Sequence, residues 1–162
     1  MRASQRGVFG FVLGLGIVGG TCAAERPDNS MMVPIQALVH FMSSPPASPI
    51  SGVFAKKGVV IVENFAPYIF IGPGAVSGWE TGFRGHFLND KLSDLEVTFG
   101  EPQDFGRDGN RAYFALPTAW TGRSQTKRFK EDGVWSFVLV RTSNAWRVLG
   151  YAWGVKEVAL VP

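Results

Sequence analysis

The sequence predicts an α+β fold in which helices lie against a curved, mostly antiparallel sheet. Residues 134–153 read as two long strands joined by a tight polar turn at 142–144. Residues 59–83 supply a strand, a Gly72-Pro73-Gly74 break and a helix. Helices come first and a run of antiparallel strands follows, an order typical of α+β domains. We therefore expect a sheet folded around a helix, with a hydrophobic pocket between them.

The first helix is predicted from Pro34, which suits the first turn of a helix, to Ser43 or Ser44. Its apolar face is formed by Ile35, Leu38, Val39 and Met42. The proline-rich segment 45–49 forbids a regular helix. Residues 50–57 are then expected to form a short helix closed by Gly58.

The strands follow from β-branched and alternating residues. A strand is predicted at 58–65, where Val59, Val60, Ile61 and Val62 are consecutive, and a second, short strand at 68–71. A helix from Ala75 to near Asn89 places Val76, Trp79, Phe83 and Phe87 on one face. Polar or Gly-containing turns then separate four further strands, at 92–101, 111–120, 127–140 and 146–155.

The first 24 residues predict a secretory signal peptide. Arg2 and Arg6 precede an apolar run at 7–20, and small residues follow at 21–24. We expect residues 25–162 to form one exported domain, periplasmic or secreted, with no membrane association after cleavage. Cys22 is the one cysteine and leaves with the signal, so packing alone must hold the mature chain.

The charge balance does not favour nucleic acid as a partner. Lys and Arg number 16 against 13 Asp and Glu, and Arg2 and Arg6 lie in the predicted signal, so the mature balance is +1. The basic cluster at 123–130 is interpreted as a solvated turn. The two histidines and the absence of mature cysteines give no metal-ligand spacing, and no cofactor is predicted.

The order of elements and two motifs resemble a known family. The motifs are Glu63-Asn64-Phe65-Ala66-Pro67-Tyr68-Ile69-Phe70-Ile71-Gly72-Pro73-Gly74-Ala75, and Trp146-Arg147-Val148 before Tyr151-Ala152-Trp153. Together they resemble the SnoaL-like branch of the nuclear transport factor 2-like superfamily. The resemblance covers nearly all of the mature chain and implies a cone-shaped half-barrel. Members include isomerases, cyclases, dehydratases, carriers and noncatalytic modules, so the fold alone does not choose a function.

The resemblance to the steroid isomerases of this superfamily implies three site positions. The base position falls at Asn64, or at Glu63 if the register slips by one; the oxyanion-binding Tyr falls near His40 and the oxyanion-binding Asp at Ser136. None of the family's residues is kept at these positions. The usual isomerase chemistry is therefore in doubt, because an amide cannot take a proton from carbon.

The candidate catalytic residues are His40, Glu63 and Asn64. His40 is a general base or acid in the enzyme hypothesis, with Asn64 and Ser136 orienting a carbonyl oxygen; the alternative is a histidine at the edge of the core. Glu63 and Asn64 must face opposite ways in a strand, and we expect Asn64 to point inward and Glu63 outward. His86 is expected at the surface.

Candidate ligand-binding residues are predominantly aromatic and are predicted to line one cavity: Trp79, Phe83, Tyr113, Ser136, Tyr151 and Trp153. The favoured function is binding of a small apolar molecule. The first alternative is an isomerase, dehydratase or cyclase-like enzyme acting next to a carbonyl, with His40 or Glu63 as base. The second is a partner-binding or homodimerisation module, with an outer sheet face at Trp135, Phe137 and Leu139.

Overall fold

The computed structural model describes residues 25–45 and 48–161, so the predicted signal peptide lies outside the described residues. Two helices are present there: α1 at Asn29–Ser43 and α2 at Ala75–Asn89. Asp28 caps α1, because its side chain accepts a hydrogen bond from the amide of Met31 at 3.1 Å. The helix thus begins five residues before Pro34, which lies in its interior and not in its first turn.

In the described part of the chain, seven strands form one mixed sheet. They are β1 at Val60–Val62, β2 at Ile69–Ile71, β3 at Leu92–Phe99, β4 at Gln103–Asp108, β5 at Arg111–Ser124, β6 at Lys127–Thr142 and β7 at Ala145–Val161. The order across the sheet is β2-β1-β7-β6-β5-β3, and β4 also pairs with β5. Of these pairs, β1 with β7 is parallel and the others are antiparallel. The predicted α+β fold with a curved, mostly antiparallel sheet is confirmed.

The long strands alternate between a core face and an outer face. On β6, Trp135, Phe137 and Leu139 are buried, whereas Val134 and Val138 are exposed. The β6–β7 register shifts between Asp132 and Gly133 and again between Val138 and Leu139. Such irregularities bend a sheet, which here lets the core face wrap around the helices.

The segment predicted as a short helix at 50–57 is extended instead. Phe54 forms an isolated parallel bridge to Val148, whose amide donates to the carbonyl of Val53 and whose carbonyl accepts from the amide of Ala55, both at 2.9 Å. Val53 is buried by this pairing. Strand pairing with β7 therefore outweighs the local helical pattern, and β4 is a further strand that the sequence did not predict.

The two helices contribute apolar faces to the core. Trp79 and Phe83 of α2 pack on Phe41 of α1, with ring centroids 5.6 and 6.3 Å from that of Phe41. In residues 25–45 and 48–161, no helix has the length and apolar character required to cross a membrane.

Candidate functional site

A cavity of about 320 Å³ opens at one end of the cone, between α2, the ends of β3 and β5, and the inner faces of β6 and β7. Its wall is mainly apolar. It includes six aromatic side chains besides histidine, and three carboxylates. The wall consists of Met42, Glu63, Asn64, Phe65, Phe83, His86, Asp90, Leu92, Leu95, Trp120, Ser124, Phe129, Glu131, Trp135, Trp153, Val158 and Leu160. A cavity of this size and chemistry is typical of a small-molecule site.

Glu63 is the most deeply buried acid of this wall, with 5% of its surface exposed. It follows β1 directly, and its Oε1 accepts a hydrogen bond from Trp79 Nε1 at 3.0 Å and another from the hydroxyl of Tyr151. The donors come from α2 and β7, so helix and sheet together fix the carboxyl group. Two donors on one oxygen orient Glu63 without neutralising its charge.

Burial sets the acidity of Glu63. Loss of solvation raises the pKa of its carboxyl from 4.5 to about 7, and the nearby Glu131 contributes in the same direction. The hydrogen bonds from Tyr151, Trp79 and the Asn64 backbone act in the opposite direction without cancelling the effect of burial. Burial and the charge of Glu63 likewise raise the pKa of Tyr151 well above its usual value. At neutral pH Glu63 therefore exchanges readily between its acid and its base form.

Glu131 supplies a second carboxylate on the inward face of β6. Its Oε1 accepts from Trp153 Nε1 at 2.7 Å and from Asn64 Nδ2 at 3.3 Å. Glu131 is half-buried and so keeps contact with solvent. Trp153 on β7 and Asn64, in the segment after β1, thus fix the position of Glu131 in the cavity wall.

His86 and Asp90 form a pair at the end of α2. His86 Nδ1 lies 2.9 Å from Asp90 Oδ2, one helical turn away, and the imidazole stacks on Phe65 with ring centroids 5.2 Å apart. Ser124 donates to the backbone carbonyl of Asp90 at 3.0 Å, which ties this helix end to β5. The expectation that His86 is a surface residue is wrong, because it is half-buried in the cavity wall.

The predicted orientation of Glu63 and Asn64 is wrong. Glu63 points into the core, whereas Asn64 is exposed and reaches the cavity rim, where it bonds Glu131. Trp79 and Tyr151 provide donors that satisfy a buried carboxylate, and sequence alone does not reveal such partners.

Two predicted pocket residues lie on the other side of the sheet. Ser136 pairs with Ala152, so it shares the outer face with Ala152 and not the inner face with Tyr151. Tyr113 pairs with Val138, and both are exposed on that outer face. The predicted places of Ser136 and Tyr113 in the pocket are therefore wrong.

The remaining predicted residues divide into three groups. Phe83 and Trp153 line the cavity, while Trp79 and Tyr151 lie behind Glu63 in the core. His40 is exposed on α1 and is not part of the cavity wall, so the hypothesis that it reaches into the cone is wrong.

The predicted outer patch at Trp135, Phe137 and Leu139 is also wrong. These side chains are at most 1% exposed and form the inner face of β6. Trp135 lines the cavity, and its Nε1 is buried without a hydrogen-bond partner among the described residues.

Sequence reasoning missed Glu131 and the His86–Asp90 pair. The signal for Glu131 was its parity, since residues 131, 135, 137 and 139 share one face of β6. The signal for the pair was the spacing of four residues on a helix. In the described part of the chain, His, Cys, Asp and Glu side chains form no group of three or more that could hold a metal ion.

Comparison with known proteins gives structural neighbours only. No protein-family profile matches the sequence, and no curated protein matches it. A solved nuclear transport factor 2-like superfamily protein from Salmonella enterica is similar, with 15% identity, a TM-score of 0.60, and coverage of 76% of this chain and 87% of the other.

Two further solved structures carry the names of enzymes. Hexachlorocyclohexane dehydrochlorinase LinA-type3 from Novosphingobium barchaimii LL02 has 5% identity, a TM-score of 0.64, and coverage of 82% of this chain and 88% of the other. A candidate ketosteroid isomerase from Shewanella frigidimarina NCIMB 400 has 14% identity, a TM-score of 0.61, and coverage of 78% and 96%. These identities show the fold alone, and the fold is the cone of the nuclear transport factor 2-like superfamily. The resemblance stated from the sequence is confirmed at that level.

Proposed function

We propose that this protein binds a small apolar molecule in its cone cavity. The observation that carries the proposal is a 320 Å³ cavity whose wall combines six aromatic rings with a few fixed polar groups. Apolar contact provides the affinity: removing about 150 Å² of ligand surface from water contributes about 4 kcal/mol, before the cost of association. Glu63 and Glu131 then orient the ligand.

Native mass spectrometry of the protein purified from its own host tests this directly. We expect a small molecule in one-to-one ratio that leaves on denaturation. An empty protein that also fails to bind small aromatic compounds in calorimetry would contradict the proposal.

A blocking variant locates the site. Val158 lines the cavity and is 58% exposed, so Val158→Trp should fold normally and obstruct the cavity. Val33→Trp is the matched control, because Val33 is 60% exposed on α1 and lies outside the wall. We expect only Val158→Trp to weaken binding.

Proton-transfer catalysis is a second candidate function, favoured by Glu63. A buried carboxyl whose pKa lies near 7 can take a proton from a C–H bond next to a carbonyl and return it elsewhere on the substrate. The dehydrochlorinase and the candidate isomerase with this fold add support for C–H chemistry.

The variant Glu63→Gln separates the two functions. Glutamine keeps the shape and an acceptor oxygen for Trp79 and Tyr151 but cannot accept the proton. Ligand affinity should persist while any turnover falls by at least about a hundredfold. Turnover that is unchanged in Glu63→Gln would remove Glu63 from the catalytic role.

We also propose a homodimer through the outer face of the sheet, at residues other than those predicted. An uncharged row crosses five strands in register: Ile71, Val60, Gly150, Val138 and Tyr113. Its large side chains are between 37% and 62% exposed, as expected of a surface that a second copy covers.

Export remains a proposal based on residues 1–24. Amino-terminal sequencing of the protein from its host should find a start at about residue 24 or 25. A protein that retains Met1 would contradict export by signal cleavage.

A further inference from the structure

The ionisable side chains of the cavity wall are strongly biased towards acids. Glu63, Asp90 and Glu131 are present, and His86 is the one basic group. Of the 17 residues that line the cavity in the described part of the chain, none is Lys or Arg. A ligand that carried a carboxylate, sulfate or phosphate group would meet no free cation in this wall.

His86 does not offset the excess of acidic side chains in the cavity wall. Its Nδ1 already lies 2.9 Å from Asp90 Oδ2, so the imidazole and this carboxylate satisfy each other at the rim. The two glutamates remain, and they are close enough for the charge of Glu131 to affect Glu63. Two negative charges in a largely apolar cavity repel each other, and a positive ligand would reduce this repulsion.

We infer that the cavity takes an organic cation, a protonated amine or quaternary ammonium group on a small apolar body. The inference rests on the proposed binding function and specifies its ligand class. Glu131 is the residue placed to receive the charged group. Both of its hydrogen bonds, from Trp153 and Asn64, go to Oε1, and Oε2 receives none from the described residues.

The aromatic rings of the wall reinforce this choice. Ring faces attract cations within about 6 Å, and indole does so most strongly. Trp120, Trp135 and Trp153 all contribute to the wall, and Trp153 also donates to Glu131, so a charged ligand would meet a carboxylate and an indole together. A neutral apolar ligand would use the rings alone and leave both carboxylates without a positive partner.

Three probes of matched size test the charge preference: 2-phenylethylamine, 2-phenylethanol and phenylacetate. Calorimetry on the purified protein at about pH 8, above the pKa of Glu63, should find the amine bound about tenfold more tightly than the alcohol, and phenylacetate bound most weakly. Alcohol binding as tight as that of the amine, or tighter phenylacetate binding, would overturn the inference and leave the binding function intact.

Substitution of the two glutamates shows which carboxylates cause the preference for the amine. Glu131→Gln should weaken the amine about tenfold and change the alcohol by less than about twofold. Glu157→Gln is the matched control, because Glu157 is exposed on β7 and lies outside the wall. The double variant Glu63→Gln with Glu131→Gln should bind amine and alcohol alike, and an amine preference that survives in it would overturn the inference.

The same titrations distinguish this inference from the proposed function. If none of the three probes binds and the protein from its own host carries no small molecule, the binding function itself fails and the inference fails with it. If the alcohol or the acid binds and Val158→Trp abolishes that binding, the binding function stands. The relative affinities of the three probes then decide whether the ligand is a cation.

Discussion

The hydroxyl of Tyr151 donates a hydrogen bond to Oε1 of Glu63, and so connects the last strand of the sheet to the segment after the first, 88 residues apart in the chain. A carboxylate buried to this degree is tolerated because donors are fixed around it. This contact couples the ionisation of one side chain to the stability of the whole cone.

The pH dependence of stability should therefore carry a component from Glu63. Its pKa is about 7 in the folded protein and near 4.5 when unfolded, so the folded state binds more protons between these values. The contribution of Glu63 to stability is then greatest below about pH 4.5, falls as the pH rises towards 7, and levels off above it; the difference amounts to about 3 kcal/mol. The groups that act on the pKa of Glu63 are Tyr151, Trp79, the Asn64 backbone and Glu131.

Comparison with Glu63→Gln isolates that component. The variant should resemble the wild type at about pH 4.5 and exceed it in free energy of unfolding at about pH 8. Urea unfolding at both pH values measures the difference, and Glu96→Gln, at an exposed position, is the control. Equal pH slopes in the wild type and Glu63→Gln would show that Glu63 does not titrate in this range.

Removal of the Tyr151 hydroxyl should shift the titration further. The hydrogen bond lowers the pKa of Glu63, so Tyr151→Phe should raise that pKa above 7. It should also cost about 2 kcal/mol at about pH 8, where the carboxylate is charged, and less at about pH 5. Urea unfolding at the two pH values checks both effects.

Tyr68→Phe is the control, because Tyr68 is 62% exposed and lies outside the row proposed for the homodimer. A Tyr151→Phe variant that loses the same stability at both pH values would argue for a packing effect instead of a charge-dependent hydrogen bond.

Sequence reasoning was successful where local pattern determines structure. The polar turn at 142–144 predicted the β6–β7 hairpin, and the spacing of apolar residues from Val76 to Phe87 predicted α2. It failed where residues distant in the chain determine the orientation of a side chain. Glu63 points inward because Trp79 and Tyr151 donate hydrogen bonds to its carboxylate, although acids normally face solvent.

The choice between faces of β6 failed for a related reason. Trp135 and Ser136 are adjacent, and pairing with β7 determines which of them faces the core. The apolar alternation of β6 does not reveal this on its own, because Val134 and Val138 are also apolar.

The two histidines should behave differently on substitution. His40 is exposed and outside the cavity wall, so His40→Ala should leave ligand affinity unchanged and alter stability by less than about 0.5 kcal/mol. His86→Ala removes an imidazole of the cavity wall that stacks on Phe65 and contacts Asp90, and should weaken binding of a neutral ligand that packs on this wall. Calorimetric titration of both variants with the neutral probe 2-phenylethanol measures this contrast, and a loss of affinity confined to His40→Ala would contradict the placement of the site.

Adjacent substitutions on β6 test the outer face. Val138 is 37% exposed, whereas Leu139 is fully buried. A charge introduced at Val138 should therefore affect association, and a charge introduced at Leu139 should affect folding. Val138→Asp should give a folded monomer if the homodimer forms through this face, because an unpaired carboxylate would be buried between the copies. Leu139→Asp should unfold the protein, since a buried charge without a partner commonly costs more than about 4 kcal/mol. Light scattering combined with circular dichroism separates these outcomes, and a wild type that is monomeric at high concentration would make the homodimer untenable while leaving the expected effect of Leu139→Asp unchanged.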